Sequence, residues 1–289
     1  MTALLVNVAW LAANLHAPHL VLLDATVDLR APRFDGDYQA FSGEPGWRAE
    51  HLPGARHADL LMQLHAPQAP YSFAMPATAQ LALGLQGLGV DDRSHIVIYD
   101  RADGFWAARL WWMLRSVGVP AAILDGGLQA WRNAGQPIET GPVNHAPATA
   151  APTLCVQPGH WASLEQVRAV SEGRTPGHLI CALSPAVFDG SATTRYSRRG
   201  HIPNSLNRPA RHLFDDQGRY HPPQVLAERL GVAQLPQPIV LYCGGGISAA
   251  ASAFALTLLG RHDVTLYDGS LQQWSAAPAL PMTTGAAPA

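Results

Sequence analysis

The feature that most constrains this chain is that it gives the same series of signals twice. "VNVAWLAANL" (6–15) and "PGHWASLEQV" (158–167) each read as a short helix opening. "LVLLDA" (20–25) and "HLICAL" (178–183) follow as apolar runs suited to buried strands. "EHLPGARHADL" (50–60) has its counterpart in "GHIPNSLNRPA" (200–210), and "HIVIYDRADGFWAARLWWMLRSVG" (95–118) in "PIVLYCGGGISAAASAFALTLLG" (238–260). "AAILDGGLQAW" (121–131) is answered by "VTLYDGSLQQW" (264–274). The spacing repeats with the order: Asp100 and Asp125 are 25 residues apart, as are Cys243 and Asp268.

Such a repeat predicts two homologous domains, and 289 residues are enough to give each its own core. The Pro- and Ala-rich stretch "GPVNHAPATAAPT" (141–153) carries no periodic apolar signal, so a linker is expected over 143–153 between domains 1–142 and 154–289. In each half short apolar runs alternate with helical stretches. This is the pattern of an α/β fold with a mainly parallel sheet flanked by helices. Ligands of such folds sit beyond the carboxyl ends of the strands.

Other classes are disfavoured. A net charge of −2 without a basic tract leaves no electrostatic footprint for nucleic acid or an anionic membrane. No apolar run approaches the ~18 residues that span a bilayer, and the N-terminus lacks a signal-peptide pattern, so a cytoplasmic location is expected. Cys155, Cys181 and Cys243 are an odd number at wide spacing, which fits neither a disulfide framework nor a metal site.

Cys243 lies where the run "PIVLY" ends and three glycines begin. Gly244, Gly245 and Gly246 allow close backbone approach, and Ile247 and Ser248 lead into a helix. Strand, cysteine, tight loop and helix N-terminus in that order make an anion cradle of amide N–H groups. A thiol placed there is pushed toward the reactive thiolate. The alternative is a buried small side chain at a strand end with glycines that merely turn the chain. The first half has Asp100 and "DRADGF" at the same place, so strand and helix form there without cysteine or a glycine triplet.

These motifs resemble the rhodanese family, in particular its two-domain sulfurtransferases acting on thiosulfate or 3-mercaptopyruvate. The doubled domain, "HLPGA" and "HIPNS", "LDGGLQAW", "ARLWWMLRSVG" and "CGGGISAA" appear in the family's order. The resemblance implies two tandem rhodanese-like domains, the first inactive because Asp100 stands for the cysteine. It implies that Cys243 accepts sulfur from a small anionic donor as a persulfide. That sulfur passes to a thiol or cyanide acceptor without a metal or organic cofactor. Cysteine phosphatases of similar architecture need Arg six residues after the cysteine, where this chain has Ala249.

The chain also departs from the family pattern. Gly245 stands where mercaptopyruvate enzymes carry Ser and thiosulfate enzymes a basic residue. Ser248, at the family's Thr position, is expected either to donate toward the sulfur or to cap the helix. Of three donor-binding arginines only Arg195 matches; Leu183 and Val187 replace the others, which leaves Arg198 and Arg199 to supply charge. Trp106, with Phe105 beside it, matches the place where an aromatic of the inactive domain reaches the donor. His51 and His201 occur in both halves and read as structural, as do Cys155 and Cys181. Trp111 and Trp112 read as helix–sheet core.

The resulting expectation is a sulfurtransferase with Cys243 as nucleophile. Residues 244–248 cradle the persulfide, and Arg195, Arg199 and Trp106 bind the donor. The rival reading is a non-catalytic sulfur carrier or interaction module that keeps the fold and has lost donor turnover, which Leu183 and Val187 favour.

Overall fold

A computed structural model describes residues 3–236 and 238–285. The outer ends of the two expected domains, 1–2 and 286–289, lie outside the described residues. The first half contains, in order, β1 (Leu5–Val6), α1 (Val8–Asn14), β2 (Leu20–Asp24), β3 (Val27–Leu29), β4 (Ala40–Ser42), α2 (Glu44–Ala49), β5 (Arg56–His57) and α3 (Thr78–Gly87). It closes with β6 (His95–Tyr99), α4 (Phe105–Ser116), β7 (Ala121–Leu124) and α5 (Gly127–Asn133). Residues 141–160 form neither helix nor strand.

The second half runs through β8 (Trp161–Ala162), α6 (Leu164–Ser171), β9 (His178–Cys181), α7 (Pro185–Phe188), β10 (Ser205–Asn207) and α8 (Pro223–Leu230). It ends with β11 (Ile239–Tyr242), α9 (Ile247–Leu258), β12 (Val264–Tyr267) and α10 (Ser270–Ala276).

Five parallel strands in the order β1-β7-β6-β2-β5 form one sheet, and β8-β12-β11-β9-β10 form the other. The order is the same once the repeat is applied, so the duplicated sequence is a duplicated α/β fold. Each half opens on a two-residue edge strand before its first helix, too short to leave a period in the sequence. Among the described residues the first half alone inserts an antiparallel hairpin, β3 with β4, ahead of α2.

Helices α4 and α9 each follow the central strand of their sheet, and they pack against each other. Both are buried on nearly every side, which explains why apolar residues are spread round them rather than confined to one stripe, with Arg109 and Arg115 the charged exceptions in α4. Trp111, expected in helix–sheet core, donates its indole N–H to the Ala121 carbonyl of β7 at 3.0 Å and also meets Phe254 of α9 edge-on at 4.7 Å, joining the two halves into one apolar core. Among the described residues no helix is long and apolar enough to cross a membrane.

The repeated histidines brace matching corners. His51 stacks on Trp47 and donates from Nδ1 to its carbonyl at 2.8 Å; His201 stacks on Phe188 and donates to that carbonyl at 2.8 Å. Neither lines the large cleft between the halves.

Candidate active site

Cys243 follows β11 directly and is 2 % exposed, with its open side on a cleft of about 830 Å³ lined by both halves. The loop is held from behind. The Cys243 N–H donates to Ser270 Oγ at 3.1 Å, while the Cys243 and Gly244 carbonyls accept from the Leu271 and Gln272 N–H groups at 3.1 and 2.8 Å. With the carbonyls turned to α10, the N–H groups of residues 244–248 have no acceptor among the described residues.

The three glycines are not equivalent. A Cβ on Gly244 would lie 1.3 Å from the Tyr196 hydroxyl, so only glycine fits. Gly246 has φ +78°, the left-handed region, and a Cβ there would come within 2.8 Å of Arg109 Nη1. Gly245 has ordinary φ and nothing nearer than 3.6 Å, so the family's serine is sterically allowed. Gly246 is also the N-cap of α9, which removes the capping role from Ser248; that hydroxyl lies on the cleft wall.

The first half shows what such a loop does with an anion. The buried Asp100 carboxylate accepts from the N–H groups of Ala102, Gly104 and Ala107, each at 3.0 Å. Burial pushes its pKa up, and the three amides pull against that shift. The loop after Cys243 is one residue shorter than that after Asp100, and Gly104 and Gly246 are the left-handed N-caps of α4 and α9, so Gly104 and Ala107 correspond to Gly246 and Ala249. The second half offers the same cradle to an anion on sulfur.

Sequence reasoning located the cleft's cations only in part. Arg195 lines it, but Nε and Nη2 donate to the Arg30 carbonyl at 2.9 and 2.7 Å. Arg199 is not among the lining residues: its Nε pairs with Asp35 at 2.7 Å across the domains, which corrects its expected place beside the donor. Arg198 donates to four carbonyls at the end of α10 and just beyond, a structural clamp. Two unexpected arginines from the first half enter the cleft instead. Arg101 pairs with the buried Asp24 at 3.1 Å, and Arg30 lies over Phe41 at 4.6 Å. Arg30 belongs to no motif, and Arg101, although it lies in the "DRADGF" counterpart of the cysteine loop, reads there only as part of the half that lacks the cysteine.

Trp106 forms part of the cleft wall and meets Phe73 edge-on at 5.0 Å; Phe105 lies beside it against Phe214. Cys181 is fully buried, and burial pushes its thiol up to about 12. Cys155 is exposed and is not among the residues lining the cleft.

Comparison with known proteins agrees with this architecture. The model of the rhodanese-like domain matches residues 7–134 and 178–277. A probable 3-mercaptopyruvate sulfurtransferase of Pseudomonas aeruginosa is 32% identical over 98% of this chain and 99% of its own length. The human 3-mercaptopyruvate sulfurtransferase is 31% identical, covering 93% of this chain and 91% of the relative. Among solved structures, SseA from Escherichia coli, described as a 3-mercaptopyruvate sulfotransferase, aligns with a TM-score of 0.78 at 29% identity, over 93% of this chain and 99% of that one. The chain belongs to the rhodanese-like family and carries its domain twice.

Proposed function

We propose that this sulfurtransferase takes sulfur from a small anionic donor, 3-mercaptopyruvate or thiosulfate, onto Cys243 as a persulfide and passes it to a thiol or cyanide. One observation carries the reading. The amides that Asp100 occupies in the first half have counterparts around Cys243, where the amides of 244–248 lack any acceptor among the described residues and a cleft gives access to the sulfur.

The thiolate is the nucleophile, and its attack on the donor sulfur divides transfer into two half-reactions. Loop amides fixed from behind by α10 stabilise the anion on the outer sulfur without reorganising. The electron pair comes from the thiolate itself, so the reaction calls for no metal or organic cofactor. Arg195, Arg30 and Arg101 line the cleft beside the carboxylates of Asp28, which pairs with Arg30 at 3.4 Å, and Asp103, so three guanidiniums against two carboxylates leave the wall net positive for an anionic donor. The names of the relatives favour 3-mercaptopyruvate as donor.

Initial rates with donor and thiol acceptor both varied test this directly. Parallel double-reciprocal lines are expected for transfer through an enzyme-bound sulfur; converging lines would mean a ternary complex and contradict it.

A further inference from the structure

Tyr196 belongs to no motif that the sequence analysis singled out, yet it stands against the reactive loop. It is 8 % exposed, and its hydroxyl presses on Gly244 at the cleft wall that Cys243 shares. That hydroxyl has no hydrogen-bond partner among the described residues. Tyr242, buried nearby in β11, shows the usual arrangement: its hydroxyl donates to Ser205 Oγ at 2.8 Å and accepts the Ile202 N–H at 3.2 Å.

The position of Tyr196 is set from both halves. Its N–H donates to Thr194 Oγ1 at 3.3 Å, the Thr194 N–H donates to the Asp35 carboxylate at 3.0 Å, and the Thr194 carbonyl accepts from Gly36 at 2.9 Å. Burial, with the neighbouring Cys243 charge, pushes the phenol well above its usual pKa, so the hydroxyl keeps its proton and presents it as a donor. Tyr38, the other tyrosine on this wall, already has Ser72 as a partner.

We propose that Tyr196 is the acid that protonates the leaving group when the donor is a 3-mercapto-2-oxo acid; this rests on the persulfide reading above. Cys243 Sγ attacks the donor sulfur, an S–S bond forms, and the S–C3 bond breaks with its electron pair passing into the enolate of the 2-oxo acid. The Tyr196 hydroxyl gives its proton to that enolate. The phenolate then takes the S–H proton of the new persulfide, which leaves Tyr196 neutral and the persulfide anionic in its amide cradle. Thiosulfate makes no such demand, because sulfite leaves as a stable anion.

The test is single-turnover sulfur loading of wild type and Tyr196→Phe, followed by intact mass with each donor. The variant is expected to load about 100-fold more slowly from 3-mercaptopyruvate, a typical general-acid contribution. Its loss with thiosulfate should be at least about tenfold smaller, a contrast that damage to the loop would not produce. Equal losses on both donors, full-speed loading of the variant from 3-mercaptopyruvate, or a wild type that loads only from thiosulfate would overturn the assignment. A wild type that gains no sulfur from either donor would instead remove the persulfide reading, and this assignment with it.

Discussion

Arg109 of the first half and Asp268 of the second form a 2.6 Å ion pair in which the arginine side chain is fully buried. The same guanidinium donates to the Phe73 carbonyl at 2.6 Å, and its Nη1 backs Gly246 of the reactive loop. Asp268 also accepts the Met75 N–H at 2.8 Å, and its repeat counterpart Asp125 accepts the Tyr220 N–H at 2.9 Å. Each "DG" aspartate thus fastens a loop of the opposite half. The half without a cysteine is the back wall of the half that has one.

Removing one partner of a buried pair strands the other charge. Arg109→Met should therefore cost about 3–5 kcal/mol, read as a lower urea midpoint. Adding Asp268→Leu should return much of that loss, since a matched apolar pair carries no desolvation cost. Strictly additive losses in the double variant would show the pair to be uncoupled.

The glycine triplet divides by position. Gly244→Ala places a methyl inside the Tyr196 hydroxyl, so backbone and ring must move apart, and thermal unfolding should fall by several degrees, on the order of 2 kcal/mol. Gly245→Ser meets nothing closer than 3.6 Å and should stay within about 1 kcal/mol of wild type. Equal effects at the two positions would contradict the described loop.

Burial holds the His201 imidazole below its ordinary pKa, so the fold favours the neutral ring. As pH falls through about 6.5 the unfolded chain binds the proton first, and stability drops until the folded-state pKa is passed. His201→Gln should flatten that part of the profile, measured as urea midpoints at pH 7.5 and 5.5. A variant whose midpoints fall as steeply as wild type would rule out this contribution.

Most of the fold was legible because its signals are local. The runs "LVLLDA" and "HLICAL" became β2 and β9, and the doubled motif order became two sheets of one topology. What escaped is either short or long-range. The β3–β4 hairpin pairs three residues with three, too few to show a period. Arg199 looked available because Asp35, which engages it, lies in the other half of the chain. Arg30, Arg101 and Tyr196 reach the cleft only after the halves dock, so proximity in sequence to the cysteine loop could not reveal them.

Donor charge should be read from both halves. Arg195→Met and Arg30→Met are each expected to raise KM for an anionic donor about tenfold with a smaller change in kcat, the effect of losing one charged contact in binding. An Arg30 variant with unchanged KM would place the donor on the second domain alone.

The most direct test of the central claim is the intact mass of reduced protein after exposure to 3-mercaptopyruvate or thiosulfate, with Cys243→Ser alongside. The account predicts a gain of one sulfur in the wild type, removed by cyanide and absent from the variant. A wild type that gains nothing from either donor, or a Cys243→Ser protein that gains sulfur equally well, would contradict it.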